Sequence, residues 1–268
     1  MKRLFFPALV ASITGACVLA VAACDPDLTP HVVPGAPATD GGTTDGAVTP
    51  PVDSGPPIEG GAEGGAEAGT THLIDGTNDF AAGEKLATTS PLYDAYASWD
   101  DVNVYFGMSG KDVGEVSALK WVLIYVDGNP GNSGSALGIA YNCSGACTAQ
   151  QANLPFNAGY HLRWKADGNY TNLQKWDGAA WANVGPISTV ARKGTFMELS
   201  IARAALGSPT KLKVHMNMLI EQAAAEWTYA GVPSTSFTDG KAPPAFTKFY
   251  EFDLADRAKA PNSYAPRP

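Results

Sequence analysis

The chain has 268 residues, 45% of them apolar, which is enough for one substantial core or two small ones. Its formal charge of -8 is unevenly spread: residues 25–70 hold eight acids and no Lys or Arg, whereas residues 71–268 hold 18 acids and 16 bases. A nearly neutral C-terminal part lacks the basic stripe that a phosphate backbone requires, which argues against nucleic acid as a partner.

In chain order, Met1-Lys2-Arg3 is a short cationic start, and Leu4 to Val21 is apolar or small apart from Ser12 and Thr14. Ala22 and Ala23 then lead into Cys24, the plan of a cleaved export signal over 1–23, with an uncleaved membrane helix, which needs about 20 apolar residues, as the alternative. The run Val21-Ala22-Ala23-Cys24 resembles the lipobox of bacterial lipoproteins. That resemblance implies a Cys24 carrying acyl chains such as palmitate. It makes the membrane a partner through a lipid anchor and places the chain in a bacterial cell envelope, with the periplasm-facing and outer surfaces both open as its address. The two or three acyl chains it implies anchor stably, where one would hold only marginally.

Residues 24–70 are rich in Pro, Gly, Ala, Thr and Asp and contain Gly60-Gly61-Ala62-Glu63-Gly64-Gly65-Ala66-Glu67. Such a segment buries too little apolar surface to offset its ordering entropy and reads as a disordered linker. As a coil it reaches about 35–40 Å. Of the four cysteines, Cys17 leaves with the signal and Cys24 takes the lipid, so Cys143 and Cys147 remain. A pair in an oxidising compartment reads as a disulfide, and closing so short a loop contributes only about 2 kcal/mol.

From His72 onward, short alternating runs separated by turn residues predict an all-β fold, an antiparallel β-sandwich (jelly-roll-like) over 71–254. Val102, Val104, Phe106 and Met108 share one strand face; Val122, Ile124 and Val126 another; Met197, Leu199 and Ile201 a third; Leu212, Val214, Met216 and Met218 a fourth. Asp100-Asp101, Asp167-Gly168-Asn169, Asp177-Gly178 and Lys193-Gly194 read as turns. Single helical turns are predicted at Ala202 to Leu206, before Gly207, and at Glu221 to Glu226. A Gly/Asn/Ser-rich excursion runs from Gly128 to Phe156, and after Leu254 the pattern ends, so 255–268 reads as a loose tail.

Several runs together resemble family 9 carbohydrate-binding modules and the wider DOMON-like β-sandwiches. They are Ile74-Asp75-Gly76-Thr77-Asn78-Asp79-Phe80, Trp99-Asp100-Asp101-Val102-Asn103-Val104-Tyr105-Phe106-Gly107, Val122 to Asn129, and Glu198 to Gly207. The resemblance implies a β-sandwich that binds sugar without catalysis.

The residues suited to that chemistry lie between 164 and 181, in a chain with six tryptophans. Sugar C–H faces stack on aromatic rings while their hydroxyls bond polar side chains. Trp164, Tyr170, Trp176 and Trp181, with Asn172 and Gln174 among them, offer both groups. Trp176 and Trp181 flank the turn at Asp177-Gly178 and are predicted to face each other; the plainer alternative is a cross-strand pair that only stabilises the sheet. Trp99 and Trp121 read as core or sheet-edge residues. No cofactor or metal is predicted: Asp127, Asn129 and Asn132 match no calcium loop and read as turn residues. A haem held by His215 and a methionine, Met108 or Met216, is the minor alternative within the DOMON-like group. No G-x-S-x-G elbow occurs, and neither His161 nor His215 accompanies a nucleophile motif. The expectation is a tethered, non-catalytic glycan-binding lipoprotein. A structural module that meets an envelope protein is the second reading, and glycoside hydrolysis, which needs only two spaced carboxylates, is the enzymatic alternative.

Overall fold

A computed structural model describes residues 71–128, 134–141, 151–187, 189–221, 226–241 and 244–268. All of them belong to the second of two units, Met1–Glu59 and Gly60–Pro268. The expected signal and linker, Cys24, Cys143, Cys147, Asn129 and Asn132 lie outside the described residues, as does most of the helical turn predicted at Glu221 to Glu226.

The period-two runs form two antiparallel sheets, and the fold is an all-β sandwich. The smaller sheet has the spatial order β1 (Lys85–Ala87), β2 (Asp94–Trp99), β3 (Asn103–Ser109), β11 (Phe196–Ala202) and β10 (Val190–Lys193). The larger runs β14 (Gly240–Lys241), β13 (Trp227–Val232), β12 (Lys211–Ile220), β4 (Lys120–Asp127), β7 (Tyr160–Lys165), β8 (Thr171–Trp176) and β9 (Trp181–Gly185). Strand β15 (Tyr250–Asp253) pairs with the first half of β12, beyond which β13 takes over. A separate ribbon joins β5 (Ser135–Leu137) to β6 (Asn153–Ala158) within the predicted excursion.

The predicted apolar stripes meet between the sheets. Phe106, Met108 and Leu199 from one face Val122, Ile124, Val214 and Met216 from the other, all within one buried cluster. The turns fall where Asp and Gly predict them, with one difference. Val102 belongs to the turn and is 63% exposed. Asp100 Oδ1 accepts the N–H groups of Val102 and Asn103, each at 2.7 Å, and so holds Val102 out of the strand. Arg203–Leu206 form the predicted single turn, a 3-10 turn that Gly207 ends in the left-handed conformation.

Strict alternation predicts a wet outer face for the smaller sheet, yet Tyr96, Tyr105, Phe196 and Glu198 there are buried. Residues 71–84 cross that face as a strap. Glu198 Oε1 accepts the N–H of Asp75 (2.9 Å) and of Gly76 (2.6 Å). Gly76, at φ +82°, lies so close to β10 that a Cβ would stand 2.8 Å from the Arg192 carbonyl carbon. His72 stacks on Phe80 at 4.3 Å and places its two ring nitrogens 2.8 Å from Asp79 and 3.3 Å from Glu84.

The C-terminal tail, predicted loose over 255–268, is held instead. Phe249 and Arg267 exchange two backbone hydrogen bonds, 3.0 and 2.8 Å. Tyr264 sets its edge against Phe252 (5.4 Å) and Trp99 (6.2 Å). The sequence hides this because one aromatic residue and two backbone bonds have no periodicity. Truncation after Asp256 is expected to lower stability by about 2–3 kcal/mol, the value of uncovering large aromatic surface. Denaturant unfolding of the truncated chain checks it, with no shift as the contrary result.

Candidate functional site

The outer face of the larger sheet is where the predicted site residues gather, and strand register decides which of them meet. Opposite partners run Tyr125, His161, Gln174 and Asn183 across β4, β7, β8 and β9. The next row along runs Leu123, Arg163 and Asn172, and Trp121 stands opposite Lys165. At the other end, Trp176 is opposite Trp181. The face therefore carries an amide and guanidinium strip bounded by aromatic rings.

The β5–β6 ribbon covers the middle of this face. Gly138 makes the approach possible, since a Cβ there would stand 2.6 Å from Tyr125 Oη. The following segment brings Tyr141 Oη to 3.0 Å from His161 Nε2, and Trp181 Nε1 donates to the Leu137 carbonyl at 3.2 Å. Residues 244–246 extend the cover beside β6: Asn153 N–H donates to the Pro244 carbonyl, and Phe246 N–H to that of Asn153.

Trp176 and Trp181 meet as the hairpin predicts, half-buried, with ring centroids 5.7 Å apart at 68°. Asp177 Oδ1 shapes their turn by accepting the N–H groups of Ala179 and Ala180, both at 2.8 Å. Tyr170 stands at the far end, 37% exposed, and accepts a hydrogen bond from Arg163 Nη2 at 2.8 Å. Trp164 does not join them. It lies opposite Val122 on the inner face, 2% exposed, and packs in the core. Parity along β7 explains the correction: Arg163 and Lys165 face outward, so the residue between them cannot.

Trp121 lies at the Tyr170 end of the outer face but is 6% exposed and packs with Leu123, Tyr141 and Leu219 in a buried cluster, as expected of a core or sheet-edge residue. Its ring contacts Tyr170 edge-on at 5.6 Å, and Lys165 Nζ lies 4.7 Å from its centroid. Arg163 and Asn183 complete the strip, and Asn172 Nδ2 donates to Asn183 Oδ1. These two are legible only once the hairpin register is known, because neither sits in an aromatic run. His161 is neutral, since burial and then the Arg163 charge push its pKa down to about 3.

The remaining candidates do not converge. His215 faces outward and stacks on Phe246 at 3.9 Å, whereas Met216 and Met108 lie in the core. The strand thus sends His215 and Met216 to opposite sides of one sheet, and Met108 lies in the other sheet. Asp127 ends β4 with Lys213 Nζ 3.4 Å away. Among the described residues no three His, Cys, Asp or Glu side chains are grouped to hold a metal ion. Comparison with family models, curated proteins and solved structures gives no match. The functional reading therefore rests on the geometry of this face.

Proposed function

We propose that the chain is a membrane-tethered, non-catalytic lipoprotein whose sandwich binds glycans on the outer face of β7, β8 and β9. The observation that carries this reading is the half-buried Trp176–Trp181 pair bordering the Gln174 and Asn183 amides. A pyranose ring needs an aromatic surface for its C–H face and donors and acceptors at its rim, and this arrangement supplies both within one hairpin. With Cys24 acylated, the acidic linker would hold this face clear of the membrane.

Affinity electrophoresis against envelope and plant polysaccharides tests the proposal. Retardation by at least one glycan is expected, weakened about tenfold in Trp181→Ala or Trp176→Ala, the loss of one stacking ring. A folded protein that no glycan retards, or variants that bind as the parent does, would refute it. Retention of an envelope protein in place of any glycan would favour the interaction-module reading.

A further inference from the structure

The outer face of the larger sheet carries charge as well as rings and amides, and the charge is gathered at its Tyr170 end. Arg163 and Lys165, both half-buried, flank the inward-facing Trp164 along β7 and so point to the same side. Lys165 Nζ lies 4.7 Å and Arg163 Cζ 5.8 Å from the centroid of one ring, that of Trp121. Arg163 also stands 5.1 Å from the Tyr170 ring and donates to its hydroxyl at 2.8 Å.

What holds these two cations is aromatic rather than acidic. Lys120, the chain neighbour of Trp121, sits against Asp112 and Glu115, and its charge is answered within the fold. Among the described residues neither Arg163 nor Lys165 forms an ion pair with a carboxylate. The internal stretches outside those residues contain no Asp or Glu, and Asp167, the acid nearest in sequence, accepts the Asn169 N–H at 2.9 Å. A ring face orients a cation without neutralising it, so two positive charges are left to repel one another across Trp121. Their field reaches the neighbouring groups. The Arg163 charge adds to burial in lowering the His161 pKa; at Tyr141, where burial raises the pKa, it acts in the opposite sense and more strongly than the Glu221 charge.

Tyr170 is 37% exposed and lies on the same strand face as Trp176, about 20 Å away at roughly 3.3 Å per residue. The row of Gln174 and Asn183 lies between them. We infer that the glycan bound on this face is acidic: an oxyanion on one sugar unit, carboxylate or sulfate, is held by Arg163 and Lys165 beside Tyr170, while a unit several sugars along the same chain stacks on the Trp176–Trp181 pair. This rests on the glycan reading above and adds to it the chemical class of the ligand and its extent. Guanidinium and ammonium donors both suit an oxyanion, and one between them relieves their repulsion. A neutral glycan leaves both charges unanswered, and a free small anion does not reach the tryptophans.

The test uses the intact chain and two pairs of polymers that differ chiefly in charge: polygalacturonate against its methyl ester, which reads a carboxylate, and dextran sulfate against dextran, which reads a sulfate. Titration calorimetry is expected to show the acidic member of at least one pair bound about tenfold more tightly or better, the value of one charge-assisted hydrogen bond. The preference should shrink as salt rises. Lys165→Met keeps a stem over Trp121 and removes the charge, and it is expected to erase most of the preference, which Lys165→Arg should keep. Arg163→Gln reads the second charge and decides the matter should Lys165→Met fail to fold. Trp181→Ala, at the other end of the face, should weaken acidic and neutral members alike. Equal binding within both pairs, binding of neutral members alone, or a preference that survives both Lys165→Met and Arg163→Gln would overturn this inference and leave the glycan reading standing. Binding of none of the four polymers would also overturn it, and the glycan reading falls with it only if the electrophoresis panel retards nothing.

Discussion

Acidification from neutrality is expected to unfold the sandwich well before ordinary carboxylates finish titrating, and two buried histidines are the reason. His161 makes one hydrogen bond with each ring nitrogen, at 3.1 Å to the Ile124 carbonyl and 3.0 Å to Tyr141 Oη. The carbonyl can only accept, so Nδ1 carries the proton and Nε2 accepts from the tyrosine. A second proton, on Nε2, forces Tyr141 to turn its own hydroxyl proton away. His215 has Nδ1 at 3.2 Å from the Lys248 carbonyl, and its Nε2 finds no partner among the described residues. Burial pushes the pKa of each down from 6.5 to about 3.

The sign follows from comparing folded and unfolded chains. The unfolded chain takes up protons near pH 6.5 that the folded one refuses until about pH 3. The penalty is therefore absent above pH 6.5 and grows as the pH falls towards 3. At about 1.4 kcal/mol per pH unit over roughly three units, each histidine costs about 4 kcal/mol. Together they rival the ~5–15 kcal/mol that holds a typical domain folded. Urea unfolding between pH 7 and 4 is expected to show a steep loss of stability. His215→Phe and His161→Gln should each remove about half of the slope. The Lys248 carbonyl keeps its Ser236 hydroxyl donor (3.1 Å) when His215 is replaced, which favours a folded variant. Both variants retaining the parental slope would refute the assignment. Tyr141 leans on His161 and Phe246 on His215, so the β5–β6 cover is the element that acid should release first.

What the sequence shows and what it hides divide along physical lines. Alternation at Val122, Ile124 and Val126, or at Met197, Leu199 and Ile201, reports a strand with one face in the core, and all six residues are buried there. It carries nothing about what covers the other face. The strap over β3 and β11 and the cover over β4 are irregular segments placed by single contacts, such as Glu198 on the Asp75 and Gly76 amides. Trp164 shows the same limit within the candidate site. Composition places it beside Trp176 and Trp181, while strand parity sends it into the core, 2% exposed. Nearness in sequence predicted the hairpin pair, which is a local contact, and failed for the row across β4, β7 and β9, which is not.

The second large effect is expected at Glu84, where the strap is fastened. Its carboxylate, 1% exposed, receives the Ala81 N–H at 2.7 Å, the Ser98 hydroxyl, and His72 Nε2 at 3.3 Å. Burial acts to lower the His72 pKa, but the hydrogen bonds its ring donates to Glu84 and then Asp79 outweigh it, and the pKa is raised. The imidazolium is thus the form that the strap holds. Glu84→Leu leaves that cation buried against Phe80 with only Asp79 to answer it, and a loss of about 3–5 kcal/mol is expected, as for other broken buried pairs. His72→Phe with Glu84→Leu replaces the pair by apolar groups that can pack on Phe80, and most of the loss should return. Denaturant unfolding of the parent, both single variants and the double variant measures the coupling. Hydrogen exchange at the Asp75 and Gly76 amides reports whether the strap itself has lifted. Equal costs for Glu84→Leu with and without His72 would show that the two do not act as a pair. The pH dependence also runs opposite to that of the larger sheet: because the folded pKa of His72 is raised, its contribution is complete below about pH 6.5 and fades as the pH climbs through the folded value. Acid therefore loosens the cover on one sheet while base loosens the strap on the other, which confines maximum stability to near neutrality.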